Sequence, residues 1–189
     1  PAQTASDSIY AGSAPTPLSL PTFTPPPAPT LEPTLIPNVD ATPVTLPGPI
    51  NPLTGLSVAD PALLDRRPMA VKVANFPRYI RPQSGLTLAD QVFEYYIEAG
   101  LTRFVAVFYG NNSEWVGPVR SGRFFDENIQ RMYQSYLVFK YADKRVLTYF
   151  NATDFADFLV VPSKRACPPF RPLDSRNVEV YSNTYFNTV

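Results

Sequence analysis

The chain has 189 residues with 16 basic and 16 acidic side chains, so its formal net charge is zero, and it contains 23 prolines, one cysteine and no histidine. The lack of histidine excludes Ser-His-Asp and Cys-His catalysis and imidazole metal ligands, while a lone cysteine excludes an intramolecular disulfide and a cysteine zinc site. Neutrality argues against nucleic acid as a partner, because nucleic-acid-binding domains carry a basic patch or a high isoelectric point. We therefore expect no metal, no cofactor, no catalytic residues and no enzyme activity.

Residues 1–50 form an extended, proline-rich arm that precedes the rest of the chain. The arm holds 13 of the 23 prolines and none of the 16 lysines and arginines. A proline recurs at every fourth residue from Pro17 to Pro37, and every proline of the arm except Pro26 is odd-numbered. Residues of like parity in an extended chain point their N–H groups to the same edge, so one edge loses donors while the other keeps them. Such a segment pairs on one side only, which predicts an edge strand or a strand donated to another molecule.

The arm also carries apolar side chains, which a flexible Gly/Ser linker lacks. We expect these side chains to anchor the arm on other copies of the chain, and they are Leu18, Leu20, Phe23, Leu35, Ile36, Val44 and Leu46. The sequence thus predicts a structural subunit that self-assembles into a pilus-like extracellular fibre or other homopolymer. The alternative is a monomeric binding module of the cell envelope on a passive proline-rich stalk.

The composition of the arm also predicts export to the cell surface or the extracellular space. Pro/Thr/Ser-rich stalks are typical of exported proteins, and a chain that begins at Pro1 instead of Met suggests that a leader was removed. No stretch approaches the roughly 18–20 apolar residues of a membrane span, and a cytosolic protein with an irrelevant linker remains the alternative. Exported proteins are often glycosylated, so we expect glycans on or bound to this chain. The candidate glycosylation sites are Thr16, Thr22, Thr24, Thr30, Thr34, Thr42, Asn111 and Asn151.

Residues 51–189 are predicted to form one domain, and its clearest local pattern is a β-hairpin. After a buried strand over Met69–Ala74, two runs rich in β-branched and aromatic residues, Gln91–Glu98 and Leu101–Tyr109, flank Ala99-Gly100. Pairing about that turn predicts a core face of Phe93, Tyr95, Ile97, Phe104, Ala106 and Phe108.

The opposite face of the predicted hairpin carries charged residues. Arg103 is expected near Tyr96, with Glu94 or Glu98 in reach of an ion pair. The alternative is that the two glutamates form a carboxylate pair for acid–base chemistry.

Helices and short strands follow the hairpin. An amphipathic helix is predicted over 124–136, with Ile129, Met132 and Tyr133 buried. The remaining predicted elements are a strand over 137–141, two short helices over 144–150 and 154–159, and a last strand over 178–181. Asp143 and Thr153 are predicted to cap the two short helices. The pattern predicts an α+β fold, a single domain with a mixed, hairpin-containing β-sheet and short helices.

Two loops supply candidate binding residues. Arg120, Ser121 and Arg123 precede a predicted helix, where backbone N–H groups and the helix dipole favour anions. Together with a second loop they are expected to form an anion or carboxylate pocket, and that loop contributes Arg81, Gln83 and Ser84. The alternative is that these arginines bind backbone carbonyls and buried glutamates. Cys167, between Ala166 and two prolines, is predicted to be an inert thiol, with a reactive thiol as the alternative.

Several ordered motifs resemble one known family. They are Asn51-Pro-Leu-Thr-Gly-Leu56, Arg67-Pro-Met-Ala-Val-Lys-Val-Ala-Asn75, Arg81-Pro-Gln-Ser-Gly-Leu86, Ala89-Asp90, Glu94-Tyr95, Glu98-Ala-Gly-Leu-Thr-Arg-Phe104 and Gly117-Pro-Val-Arg-Ser-Gly-Arg123. The set is similar to the N-terminal domain of the YerB-like family of predicted exported lipoproteins, a domain of unknown function. The resemblance implies export and attachment at the cell envelope, and it implies no established reaction.

This chain departs from the family pattern in three ways. Histidines expected after the Gly117–Arg123 motif and near the end of the domain are missing, so any histidine-dependent activity of relatives is not expected here. A second domain normally follows, whereas this sequence ends at Val189. The sequence also shows no lipidation cysteine at its start.

Overall fold

The computed structural model describes residues 48–162, 169–172 and 183–189. All of them belong to one of the two units into which the chain divides, Val44–Val189. The predicted arm anchors, the threonine acceptor sites, Cys167 and the strand predicted over 178–181 lie outside the described residues.

The described residues form an α+β domain around a mixed five-stranded sheet, as predicted. The sheet has the order β2-β3-β1-β4-β5, and two further strands form a separate antiparallel ribbon. Neighbours are antiparallel from β2 to β1 and parallel from β1 to β5. The strands are β1 Met69–Ala74, β2 Gln91–Tyr96, β3 Thr102–Phe108, β4 Tyr136–Val138, β5 Leu159–Val160, β6 Phe170–Pro172 and β7 Thr184–Phe186.

Strand β1 lies at the centre of the sheet because its residues are apolar on both faces. Five of its six residues are buried, and β3 and β4 flank it. Lys72 is the one charged residue of this apolar strand, and its side chain is fully buried in the middle of the strand. A lysine in such a place requires a partner, since an isolated buried charge is strongly unfavourable.

Each face of the sheet is covered by a different layer. The helices α1 Asp126–Tyr133 and α2 Lys144–Asn151 cover one face, where Ile129 and Phe150 pack against residues of β1, β3 and β4. The ribbon β6–β7 covers the other face through Phe170 and Phe186. The side chain of Lys72 lies on the face with the helices, because it pairs across the sheet with Val105 of that core.

The hairpin forms, but its predicted register was wrong by one residue. Ala99 and Gly100 make the two-residue turn with φ values of 58° and 69°. The first hydrogen bond between the strands after this turn runs from the N–H of Ile97 to the carbonyl of Leu101, at 2.8 Å. Glu98, between Ile97 and the turn, therefore has no partner on the other strand and forms a bulge. Such a bulge shifts every later pair and reverses the face of one strand relative to the other.

The bulge separates the residues that were predicted to share one core face. Phe93 pairs with Val105, and both contribute to the core beneath the helices. Phe104, Ala106 and Phe108 of β3 contribute to the opposite core. Arg103 therefore pairs with Tyr95. The prediction that it lies beside Tyr96 was wrong.

Most of the later elements are shorter than predicted, whereas α2 extends one residue further, to Asn151. Helix α1 ends at Tyr133 because Gln134 adopts a left-handed conformation with φ 47°, and Met132 is 62% exposed, contrary to the prediction. Helix α2 begins as predicted, since the carboxylate of Asp143 accepts a hydrogen bond from the N–H of Arg145. The helix predicted over 154–159 is a 3-10 turn, Ala156–Phe158, followed directly by β5. Thr153 does not cap that turn with its side chain, because its hydroxyl donates to the carbonyl of Phe150.

Candidate functional site

A buried ion pair joins the centre of the sheet to the start of α1. The Nζ atom of Lys72 lies 2.8 Å from Oδ1 of Asp126, and both side chains are fully inaccessible to solvent. The hydroxyl of Tyr95 accepts from Lys72 and donates to Asp126, so the three side chains form one hydrogen-bonded group, here called the central cluster. The second carboxylate oxygen, Oδ2 of Asp126, accepts from the backbone N–H of Arg123 at 2.7 Å.

Burial shifts the ionisation of the central cluster. Desolvation lowers the pKa of Lys72 to about 8, although Asp126 opposes the shift. Desolvation and the nearby charge of Asp126 raise the pKa of Tyr95 well above its usual value. The cluster therefore holds its protons through the neutral range, and Asp126 ties the loop before α1 to the sheet.

Arg103 lies beside the central cluster and has no carboxylate partner among the described residues. Its side chain is only 8% exposed, and its Nη1 donates to the carbonyl of Ser121 at 2.8 Å. Desolvation, followed by repulsion from Arg123 and Arg120, lowers its pKa to about 10. Its Nε and Nη2 make no hydrogen bond within the described part of the chain, and neither atom is completely buried.

Arg123 extends this cationic region to the surface. Its Nε donates to Oε2 of Glu98 at 2.9 Å, and a second contact joins Nη2 to Oε1. The hydrogen bond from Arg123 lowers the pKa of Glu98 to about 2. The ion pair predicted for Arg103 is therefore made by Arg123 instead.

A recess of about 560 Å³ opens next to this pair. Its rim includes two aromatic rings, Phe124 and Tyr141, which are 50% and 43% exposed. A second ion pair, Arg145 with Asp143, lies on the rim at 3.0 Å. The lining residues are Glu98, Ser121, Arg123, Phe124, Tyr141, Ala142, Asp143, Arg145 and Val146.

Asn75, directly after β1, organises a second polar group. Its side-chain amide donates to the Thr102 hydroxyl at 2.7 Å and to Glu94 at 3.1 Å. Arg81 and Gln83 donate to its side-chain oxygen at 2.8 and 3.2 Å. Glu94 and Glu98 thus bind different partners, and Glu98 is held in its ionised form.

The two loops of the predicted anion pocket are neighbours through their backbones. Ser84 and Gly117 exchange hydrogen bonds of 3.0 and 3.1 Å, and the N–H of Arg120 donates to the carbonyl of Lys72. The side chains diverge: Arg81 and Gln83 bind Asn75, whereas Ser121 and Arg123 line the recess. The alternative of backbone carbonyls as partners describes Arg81, which also donates to the backbone oxygen of Asn75 at 3.1 Å. It also describes Arg123, whose Nη1 donates to the carbonyl of Gly122 at 2.9 Å.

Sequence reasoning missed Lys72, Tyr95 and Asp126 as one group. The useful pattern was a lysine in the middle of an apolar strand, because a buried lysine must meet a carboxylate from elsewhere in the chain. Asp126 lies in the first turn of α1, where an acidic residue is common for a different reason, the helix dipole. The pair is 54 residues apart, so no local spacing connects the two side chains.

Other predicted positions lie away from the recess. Asn111 and Asn151 are exposed, and the Asn111 amide donates to Asp90 at 2.8 Å. Within the described ranges, no group of three His, Cys, Asp or Glu side chains is placed to hold a metal ion. No helix in the described part of the chain has the length and apolar character of a membrane span.

Comparison with known proteins identifies one family and one close homologue. The family model described as "Protein of unknown function (DUF3048) N-terminal domain" matches residues 53–187, which confirms the predicted resemblance. The Bacillus subtilis protein named "Putative lipoprotein YerB" is 37% identical over 126 residues, which are 62% of this chain and 38% of that protein. The crystal structure of B. subtilis YerB matches with a TM-score of 0.63 and 32% identity, covering 74% of this chain and 46% of that one. The chain thus spans less than half the length of these relatives.

Proposed function

Because this chain belongs to the family of DUF3048 N-terminal domains, we propose that it is the binding domain of an exported cell-envelope protein. The recess beside Arg123 takes an acidic group, a carboxylate or a phosphate, of an envelope polymer. The envelope location rests on the relative whose name describes a lipoprotein. The acidic ligand rests on the geometry of the recess.

The observation that carries the proposal is that Arg123 lines the recess while a second guanidinium, that of Arg103, lies nearby. Repulsion from Arg123 contributes to the lowered pKa of Arg103, and the carboxylate of Glu98 is close to both arginines. The Glu98 side chain is 62% exposed, so its ion pair with Arg123 is open to solvent. An acidic ligand in the recess therefore gains attraction to Arg123, and its charge offsets the repulsion between the two arginines.

The rim of the recess suits a polymer that carries both acidic and apolar surfaces. Phe124 and Tyr141 are 50% and 43% exposed, and aromatic side chains of this kind pack against the C–H faces of sugar rings or against aliphatic side chains. Arg145 and Asp143 form an exposed ion pair that can donate to and accept from hydroxyl groups. Few ordered polar groups beside apolar surface are typical of ligand sites.

The motifs that carry the family resemblance converge on this end of the sheet. Lys72, Tyr95, Glu98 and Arg103 come from three of these motifs, and Arg123 ends the last of them. Lys72 and Tyr95 belong to the central cluster, and Glu98 and Arg123 line the recess. The motifs therefore supply both the buried support of the recess and part of its charged wall.

The test measures binding of the full chain to purified B. subtilis cell walls by cosedimentation. Arg123→Gln removes the charge but keeps the backbone N–H that binds Asp126. We expect the apparent Kd to rise by about tenfold or more, the size of one lost charge-assisted hydrogen bond. Raised salt should weaken the binding of the unaltered chain, because the interaction is between charges.

The matched control is Arg131→Gln, which removes a surface arginine paired with Glu127 and Asp154 away from the recess. Cell walls from which the phosphate polymers have been removed distinguish a carboxylate ligand from a phosphate ligand. Binding that is retained on these walls identifies carboxylates, and binding that is lost identifies phosphates. Equal binding by the Arg123→Gln and Arg131→Gln variants, or no binding by the unaltered chain, would overturn the proposal.

Self-assembly through the arm stays a prediction, since residues 1–47 of the arm lie outside the described residues.

A further inference from the structure

Strand β2 forms an open edge of the five-stranded sheet. Within the described part of the chain β3 is its one neighbour, and no backbone hydrogen bond from another segment reaches its outer side. Such an edge presents unpaired N–H and C=O groups that can template a further strand. The edge carries neither proline nor lysine, two of the residues that commonly block such pairing.

The register identifies which residues form the open side. Ile97 bonds to Leu101, and Tyr95 pairs with Arg103, so the odd-numbered residues of β2 direct their backbone groups towards β3. The even-numbered residues Val92, Glu94 and Tyr96 direct theirs outward. The same three residues place their side chains on the solvent face, where Val92 is 44% and Tyr96 is 79% exposed.

We propose that the arm of a second copy of this chain adds to β2 as a further strand through residues 16–24. The prolines of that segment, Pro17 and Pro21, are odd-numbered, so all of its even-numbered residues keep their N–H groups. When the arm pairs through its even-numbered residues, their backbone N–H and C=O groups bond to the outward N–H and C=O groups of β2. Its other side is poor in donors, so it ends the sheet instead of extending it.

The leucine side chains of the arm segment support pairing through the same even-numbered residues. Residues that exchange hydrogen bonds across an antiparallel pair also place their side chains on the same face. The even-numbered Leu18 and Leu20 of the arm would then cover Val92 and Tyr96 of β2. Within residues 16–24 both leucines therefore share the parity that keeps the N–H donors, whereas the odd-numbered Phe23 would place its side chain on the opposite face.

The segment 16–24 fits this edge better than the later part of the arm. Its even-numbered residues are leucine and threonine, which favour strands. The even-numbered residues farther along include Asn38 and Asp40, which are depleted in strands. Donation from each copy to the next is a heterologous contact, which closes into a ring or continues as a filament.

The test uses the parity of the arm. In the full chain, Leu20→Pro removes a donor from the pairing edge, whereas Ser19→Pro removes one from the opposite edge. Both variants leave the domain untouched, so misfolding cannot explain a difference between them. Sedimentation velocity over a concentration series should show self-association of the unaltered chain and of Ser19→Pro, with the dissociation constant of Leu20→Pro raised about tenfold.

A second pair of variants tests the receiving edge. Val92→Pro removes an outward N–H from β2 without touching a bond to β3, and Val92→Thr keeps that N–H on a strand-forming residue. We expect Val92→Pro to abolish association and Val92→Thr to retain it, with the amides of residues 92, 94 and 96 protected from hydrogen exchange only at high concentration. A monomeric unaltered chain up to about 1 mM, or equal effects of Leu20→Pro and Ser19→Pro, would overturn the proposal.

Discussion

Replacing Lys72 by methionine tests whether the buried ion pair supports the recess. Methionine has similar length and no charge, so the substitution removes the ammonium group and leaves little space unfilled. Asp126 then remains fully buried with its contacts to Tyr95 and to the N–H of Arg123. We expect this uncompensated carboxylate to destabilise the folded domain strongly.

The magnitude follows from the geometry of the pair. Coulomb's law at the observed 2.8 Å and an effective dielectric constant of about 20 gives roughly 6 kcal/mol of attraction. Part of this attraction already offsets the desolvation of both groups, and two hydrogen bonds to Asp126 survive. Breaking a buried pair by removing one partner costs about 3–5 kcal/mol, and we expect a loss in that range.

The assay is urea unfolding followed by tryptophan fluorescence, which reports on the single Trp115. Lys144→Met, at an exposed position, is the matched control and should change the free energy of unfolding by less than about 0.5 kcal/mol. Adding Asp126→Asn to Lys72→Met should recover part of the loss, because it removes the unpaired charge. A loss for Lys72→Met no larger than that of the control, or strictly additive effects in the double variant, would refute the reasoning.

Two further outcomes follow from the described residues. The folded-state pKa of Lys72 is about 8 and its unfolded value is 10.5, so between these values the unfolded chain binds a proton that the folded chain lacks. Stability from this group should therefore rise with pH from about 8 to 10, before Tyr95 reverses the trend, and the rise should be missing in Lys72→Met; equal slopes in both proteins would contradict the assignment. Ala99→Gly should stabilise the domain by about 0.5–1 kcal/mol, because Ala99 has φ 58° in the hairpin turn, and an unchanged or lower urea midpoint would count against this account.

The hairpin shows how far local patterns extend. The two strands and the Ala99-Gly100 turn were predicted from β-branched and aromatic runs around a glycine, and all three are present. The bulge at Glu98 was not predictable, since a one-residue shift exchanges two faces that are both largely apolar in β3. The packing of each face against its own layer decides between the two registers.

The recess illustrates the same division. Ser121 and Arg123 were predicted as binding residues from their place before a helix, and both line the recess. Their expected companions Arg81 and Gln83 instead bind Asn75, because β1 ends between the two loops. Phe124, Tyr141 and Arg145 carried no recognisable pattern, since exposed side chains on separate elements meet only in the folded domain.

The sequence alone determined the α+β class, the central strand, the hairpin, the cap at Asp143 and the family. Each of these depends on residues near one another in the chain, where periodicity, turn chemistry and ordered motifs act directly. Only the tertiary structure decided that Lys72 meets Asp126, that Arg103 lies beside Arg123, and that one edge of the sheet stays open. These features join residues separated by up to 54 positions, and packing of the helices on the sheet selects them. The neutral overall charge likewise concealed a local concentration of arginines that only the fold assembles.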